Sequence, residues 1–278
     1  MATVGEEEWT MANIAVFTMA YNETVFLPRW VNYYARQVGM EHLYVIDHGS
    51  TDGSTEKLRC SVVKIPRSPY DPELQTESNN KYQHFLLKWY DVVIYADADE
   101  FLVPDPALYS SLRDYCERMQ SDTVRAFGYN VFHHYQDEPP INLSEPILGQ
   151  RKYWRFMYSM CKPMVTRKPI NWQPGGHDTR DPSHFDRNLF NLHMKEMDYD
   201  LAREKMRHTR TMAWSKNALD RRLGTHARRE DSVYERVLAD VLKGFQRNVV
   251  DSTYKIFDDK GSAIGPLTPI PERFHNLV

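Results

Sequence analysis

The chain has 278 residues, a 41% apolar and 26% charged composition, and a formal net charge of −3 from 35 basic and 38 acidic side chains. That length suits one large α/β domain or one domain with an appendage, and the balanced charge provides no global field to attract nucleic acid. Three cysteines, Cys60, Cys116 and Cys161, are too few and too widely spaced for a disulfide framework or a zinc pattern, and no run reaches the ~18 to 20 apolar residues that span a bilayer. The stretch around Glu6, Glu7 and Glu8 lacks the features of a signal peptide, so a cytoplasmic protein is expected.

In chain order, Ile14 to Thr18 is a compact strand run that ends in Tyr21-Asn22-Glu23. Phe26, Leu27, Trp30, Val31, Tyr34 and Val38 then recur at helical spacing, and Gly39 closes the helix. Leu43 to Ile46 is a second strand running into Asp47-His48-Gly49-Ser50, and Val62 to Ile65 a third. The next helix carries Phe85, Leu86, Trp89 and Tyr90, with Asn79, Asn80 and Lys81 at its start. It delivers the chain to the apolar run Val92 to Tyr95. Asp105 with Pro106 predicts the cap of a helix through Leu108, Leu112, Tyr115 and Met119, and Thr123 to Phe132 a further strand. Residues 136–193 read as irregular. From Tyr199 the chain reads as two charged helices, Tyr199 to Leu223 and Asp231 to Phe245.

This alternation predicts a mostly parallel, doubly wound α/β sheet, whose ligands bind beyond the carboxyl ends of the strands. Three polar clusters fall there: Tyr21-Asn22-Glu23, Asp47 to Ser50, and Asp97-Ala98-Asp99-Glu100. In an extended chain, Asp97 and Asp99 share a face with about 7 Å between their Cα atoms. Their repulsion is relieved by a hard divalent cation such as Mg²⁺ or Mn²⁺, although a solvated acidic turn has the same spelling. The short polar side chains and two glycines of Asp47 to Ser54 suit a nucleoside cradle or an ordinary turn.

Four segments, TMAYNE (Thr18 to Glu23), LPRWVNYYARQVG (Leu27 to Gly39), YVIDHGSTDGS (Tyr44 to Ser54) and DADEFL (Asp97 to Leu102), together resemble the GT-A nucleotide-sugar glycosyltransferases. The resemblance is to the bacterial family 2-like group and the related family 92. It covers about the first 105 residues, and continues more loosely through Pro174-Gly175-Gly176-His177-Asp178 and Leu192-His193-Met194-Lys195. It implies a GT-A domain over residues 10–197, divided into a nucleotide-binding half (10–105) and an acceptor half (106–197), with a C-terminal helical extension over 198–278. By the same resemblance, Asp97 and Asp99 form the DxD motif and hold Mn²⁺ or Mg²⁺ with His193, while Glu23 and Asp47 contact a nucleotide, expected to be uridine. Thr18, Ala20, Asn22, Gly49, Ser50, Asn79, Lys81, Ala98 and Gly176 would complete the donor pocket, and Lys195 would neutralise diphosphate charge.

The implied reaction moves a sugar from a nucleoside-diphosphate sugar to a hydroxyl on a glycan, glycolipid or glycoprotein, with inversion. Such a step needs a cation at the leaving diphosphate and a base at the acceptor hydroxyl. Asp178 or His177, after two glycines that permit close backbone approach, are the candidate bases; a glycine turn with a salt-bridged Asp is the structural alternative. Trp154 and Trp172 are candidates for stacking on sugars or for the core. The pair His133-His134 would face opposite sides of a strand, against joint chelation. Arg203, Lys205, Arg207, Arg210, Arg221, Arg222, Arg228 and Arg229 read as solvated helix faces, with attraction to a phosphate-bearing acceptor or peripheral contact with the inner face of an anionic membrane as the other use of so many cations. A nucleotidyltransferase would want a glycine- and arginine-rich first loop, which Tyr21-Asn22-Glu23 is not. A non-catalytic nucleotide- or carbohydrate-binding protein that kept the fold is the alternative from another class.

Overall fold

A computed structural model describes residues 12–243 and 264–278. Four parallel strands start the sheet: β1 (Ile14–Ala20), β2 (Leu43–Asp47), β3 (Ser61–Lys64) and β4 (Val92–Tyr95). They lie in the order β4-β1-β2-β3, with registers such as Thr18 against Val45 and Val16 against Ile94. The chain therefore steps from β1 to one side and returns to the other. The crevice between the carboxyl ends of β1 and β4 is a topological switch point, where such sheets bind ligands.

The pleat divides each strand between two layers. Ile14, Val16, Leu43, Val45, Val92 and Ile94 pack on one face with helix α1 (Leu27–Val38). Ala15, Phe17, Ile46, Val93 and Tyr95 pack on the other with Leu86 of helix α2 (Pro72–Leu86) and with Trp172. Full burial of α1 residues Trp30, Leu27 and Tyr34 contributes about 1.5–3 kcal/mol for a side chain of leucine size. Gly39, at φ 104°, ends α1 where a side chain would be strained.

Beyond β4 come β5 (Glu100–Pro104), α3 (Leu112–Arg118), β6 (Thr123–Phe132), β7 (Tyr153–Met157), β8 (Pro163–Thr166) and β9 (His184–His193). β8 joins β4 and β6 antiparallel, and the sheet continues through β7 to β10 (Ile264–Pro269). β9 pairs with β5 antiparallel and with β6 in parallel, setting His193 opposite Glu100 and Asn130. The C-terminal extension carries α4 (Tyr199–Thr211), α5 (Lys216–Asp220) and α6 (Asp231–Lys243) before β10 re-enters the sheet. A mostly parallel sheet half flanked by helices on both faces, with this extension, is the GT-A-like architecture the resemblance implies.

Several expected boundaries move. α2 begins at Pro72, capped by Asp71, whose side chain accepts from the backbone N–H groups of Glu73 (2.9 Å) and Leu74 (3.3 Å). Asn79 and Lys81 are thus mid-helix, and Trp89 and Tyr90 lie past its end. The helix expected after Asp105 starts only at Leu112, capped by Ser111. The irregular middle contains β7, β8 and β9. The long helix from Tyr199 breaks at Met212, because Ala213 and Ser215 pair with the backbone of Tyr70 and Ser215 caps α5. The end of the expected helix at Phe245 lies outside the described residues. His133 and His134 fall past β6, both buried: His133 contacts the backbone of Glu138 and Tyr199, and His134 lies beside Asp137.

Candidate active site

A cleft of about 400 Å³ opens at the switch point. Four acidic side chains converge on it: Glu23 from the loop after β1, Asp97 and Asp99 from the turn after β4, and Glu100 at the start of β5. The Asp97–Glu100 segment is a turn closed by Glu100 N–H donating to Asp97 O (2.9 Å), where an extended strand end was expected. The two aspartates consequently meet different partners.

Lys162, almost wholly buried one residue before β8, lies 2.7 Å from Asp97 Oδ2 and 2.6 Å from Glu100 Oε1. Lys205, from α4, lies 2.6 Å from Glu23 Oε1 and 3.2 Å from Asp99 Oδ2. Tyr95 also donates its hydroxyl to Asp97. Burial pushes the Asp99 carboxyl up, but Lys205 and then His193 outweigh it and hold it well below the usual range. For Asp97, burial is likewise overcome by Lys162. For Glu23 and Glu100 burial wins over the facing lysine, and both are pushed up. The lysines, despite burial, are held cationic by these pairs.

His193 is poised by its neighbour Asn130. The Asn130 amide nitrogen donates to Glu196 (3.2 Å), which leaves its oxygen to accept from His193 Nδ1–H at 2.9 Å. The other ring nitrogen, Nε2, faces Asp99 Oδ2 at 3.6 Å. Lys195 also lines the cleft, with no ion pair or hydrogen bond among the described residues, and burial lowers its pKa.

The other predicted residues divide. Ala20, Asn79, Ala98, Gly176 and His177 line the cleft, and the buried Asn79 Oδ1 has no hydrogen-bond partner there. Thr18 is fully buried within β1 and outside the lining, its hydroxyl also without a partner. Asn22, Asp47, Gly49 and Ser50 do not line the cleft, although their neighbours Tyr21, Glu23 and His48 do. Asp47 accepts from Ser50 N–H and the Thr55 hydroxyl, both at 2.8 Å, which overcome burial and keep it ionised. Asn22, at φ 52°, ties the two loops together by donating its N–H to Ser50 Oγ and accepting from Thr51 N–H. Gly49 lets Arg67 approach: an added Cβ would fall 2.8 Å from that of Arg67.

Two expectations are corrected. Lys81 points to solvent and pairs with Glu77 (2.6 Å), because two residues along a helix from Asn79 is the opposite face. Asp178 is outside the cleft lining and pairs with Arg125; burial raises its carboxyl, but that hydrogen bond and the Thr179 N–H lower it overall. His177 does face the cleft, donating Nδ1–H to Ser159 O (2.7 Å) so that Nε2 is the accepting nitrogen. Burial and then Lys162 bring its pKa down to about 4. Trp172 lines the cleft from within the core, with its indole N–H on Pro163 O (2.7 Å), while Trp154 packs with Phe190 and Phe274.

Lys162 and Lys205 escaped sequence reading, as did an aromatic wall. Arg67 lies 3.6 Å above the Tyr21 ring, His208 stacks near that ring, and His48 contacts Arg67 at 2.9 Å. Tyr70 and Trp214 meet edge to face to roof the cleft. Of these, Lys162 had a local signal, a lysine at the head of the apolar run Pro163-Met164-Val165. Of the C-terminal cations, Lys205 is not a solvated face, and Arg207 and Arg210 are spent on Asp231, Arg203 on Glu235.

Among the described residues no group of three or more His, Cys, Asp or Glu closes on a single metal position. The donor set nevertheless fits a hard divalent ion in chemistry. Asp97, Asp99 and His193 offer carboxylate oxygens and an imidazole nitrogen at an open cleft, ligand types such an ion takes.

No protein-family model matches the chain, and no curated protein matches it. Among solved structures it is similar to glucosyl-3-phosphoglycerate synthase from Mycobacterium tuberculosis in complex with Mn²⁺, UDP-glucose and phosphoglyceric acid, at 21% identity over 45% of this chain and 50% of that one, with a TM-score of 0.31. It is also similar to a mannosyltransferase from Pyrobaculum calidifontis in complex with GDP-mannose and Mn²⁺, at 10% identity over 73% of this chain and 62% of that one, with a TM-score of 0.39. The match thus spans about half the length of the mycobacterial enzyme. No described helix is long and apolar enough to cross a membrane.

Proposed function

We propose that this chain is a glycosyltransferase that moves a sugar from a nucleoside-diphosphate sugar, read as a UDP-sugar, to a hydroxyl of a glycan, glycolipid or glycoprotein. The observation that carries the reading is the switch-point cleft in which Glu23, Asp97, Asp99 and Glu100 meet Lys162, Lys195, Lys205 and His193. Charges of both signs gathered in one cleft suit a leaving diphosphate held against a cation. Asp97, Asp99 and His193 would hold Mn²⁺ or Mg²⁺, which supplies Lewis-acid stabilisation of that leaving group. Lys195, without an anionic partner, would contact diphosphate oxygens, and Asn79 Oδ1 would accept from a hydroxyl or ring N–H of the donor.

For the acceptor proton we assign His177. Its lowered pKa keeps the imidazole neutral, and the Nδ1–H bond to Ser159 leaves Nε2 free to accept. Asp178, paired with Arg125, would instead steady the glycine turn that presents His177. Inversion at the anomeric carbon follows where the acceptor oxygen attacks the face opposite the leaving diphosphate, the geometry this reading adopts. The three free thiols fit a reducing, cytoplasmic compartment.

Calorimetry with UDP and a nucleotide-sugar hydrolysis screen test the reading. Binding should need Mn²⁺ or Mg²⁺ and be lost in Asp99→Ala, and one nucleotide sugar should be turned over. UDP binding without turnover of any nucleotide sugar would turn the assignment to a non-catalytic binding protein. Binding that ignores both chelation and Asp99→Ala would remove the metal from it.

A further inference from the structure

A second cavity, of about 500 Å³, opens at the other end of the parallel strands, where Asn13 precedes β1, His42 precedes β2 and Tyr90 precedes β4. It is open toward solvent, so an occupant would rest on its wall with one side in water. Its walls mix two chemistries. Phe85 and Trp89, just at and past the end of α2, are 58% and 73% exposed, although large aromatic rings normally bury. The Trp89 ring has neither a hydrogen bond nor a ring contact among the described residues.

Beside these rings runs a polar string. Tyr44 and Tyr90 share a hydrogen bond between hydroxyls at 2.7 Å, and His42 Nδ1 lies 3.4 Å from the Tyr90 hydroxyl. The three rings stand edge to face, which fixes the hydroxyls at the cavity wall. The side-chain amide of Asn13 adds an unpaired donor and acceptor at the rim.

No Lys, Arg, Asp or Glu lines the wall itself, and the carboxylates beside it, Glu41 at 3.6 Å from His42 Nε2 and Asp91 accepting from Asn13 N–H at 2.9 Å, disfavour an anion, so an uncharged ligand fits the wall best. A lipid surface would be met with basic side chains around the patch, and the charge that contacts this wall is instead the Glu41 carboxylate beside His42. A pyranose matches both chemistries: its C–H face lies flat on an aromatic ring while its hydroxyl edge meets hydroxyl, imidazole and amide groups. We infer that the cavity lined by Trp89, Phe85, Tyr44, Tyr90, His42 and Asn13 is a binding site for a neutral saccharide, separate from the switch-point cleft. The site needs no donor nucleotide, so it stands whether or not the transfer reading does.

Saturation-transfer NMR on the full chain, with cellobiose, maltose and diacetylchitobiose as probes, tests it. Ring protons of at least one probe should receive saturation, and Trp89→Ala or Phe85→Ala should weaken apparent affinity about tenfold, the scale of one lost aromatic stacking contact. Asp99→Ala should leave the signal unchanged. Both aromatic positions are exposed, so circular dichroism of the variants should match the parent chain. No transfer to any probe would overturn the assignment, as would transfer abolished by Asp99→Ala but not by Trp89→Ala. Co-sedimentation with phosphatidylserine vesicles that depends on Trp89 would also overturn it, in favour of a membrane contact.

Discussion

Lys205 joins the two ends of the chain at one point: its ammonium, on α4, lies 2.6 Å from Glu23 in the first loop and 3.2 Å from Asp99 in the turn after β4. It also stands 4.7 Å from the Phe26 ring centroid, at the entry to α1. The C-terminal extension therefore contributes a charge to the floor of the cleft. Lys205→Met should leave two carboxylates without their cation and cost about 3 kcal/mol, as breaking a largely buried pair does. Urea titration should show the loss, and adding Glu23→Gln should recover part of it. A single variant as stable as the parent would show that solvent already screens the pair.

Lys162→Met makes a sharper case, because Lys162 is more deeply buried and serves Asp97 and Glu100 at once. The expected cost is about 3 to 5 kcal/mol. Lys162→Met with Glu100→Gln should be more stable than Lys162→Met alone, since it removes the second unpaired carboxylate. Equal stability of the two would mean that Glu100 is neutral in the folded protein, the direction in which burial already pushes it.

These lysines show why half of the site was hidden in the sequence. The strands β1, β2 and β4 could be read almost residue by residue, since each is a short apolar run, nearly all of it buried; β6 is longer and carries Arg125 and Asn130, yet its bounds also match. α2 misled for a physical reason. Its inward positions Thr76, Asn79 and Gln83 are polar, the first two lining the cleft, so the apolar rhythm that marks a helix is missing there. The aromatic residues at its far end drew attention instead. The Glu23–Lys205 contact spans 182 residues of chain, and no local pattern announces a pair at that distance. Asp97 and Asp99 were found by spacing, yet the turn they occupy, which hands each to a different lysine, was not.

Asn130 accepts from His193 Nδ1–H and so orients Nε2 toward Asp99, and the pair is testable apart from transfer activity. Asn130→Ala should weaken Mn²⁺ binding by about 10- to 100-fold, the usual effect of removing the partner that orients a ligating histidine. Calorimetry with Mn²⁺ and UDP reads the change, and Asn130→Asp, which keeps an accepting oxygen, should recover much of the affinity. Unchanged affinity in Asn130→Ala would remove His193 from the metal set.

His177 supplies a pH signature. Its pKa in the folded protein is about 4, lowered chiefly by burial and next by Lys162, against about 6.5 for an unfolded histidine. Between those values the unfolded chain binds more protons than the folded one, so this group makes stability rise as pH increases from about 4 to about 6.5. Its contribution is complete above the unfolded value and lost as pH falls through the folded one. The NMR titration of the His177 ring should have its midpoint near 4, and His177→Gln should flatten the rise of the urea midpoint over that window. A ring that titrates near 6.5 would mean that the cleft admits water freely at this position. Its imidazole would still be mostly neutral at pH 7 and more basic, so Nε2 would remain the proton acceptor while the predicted stability signature would be absent.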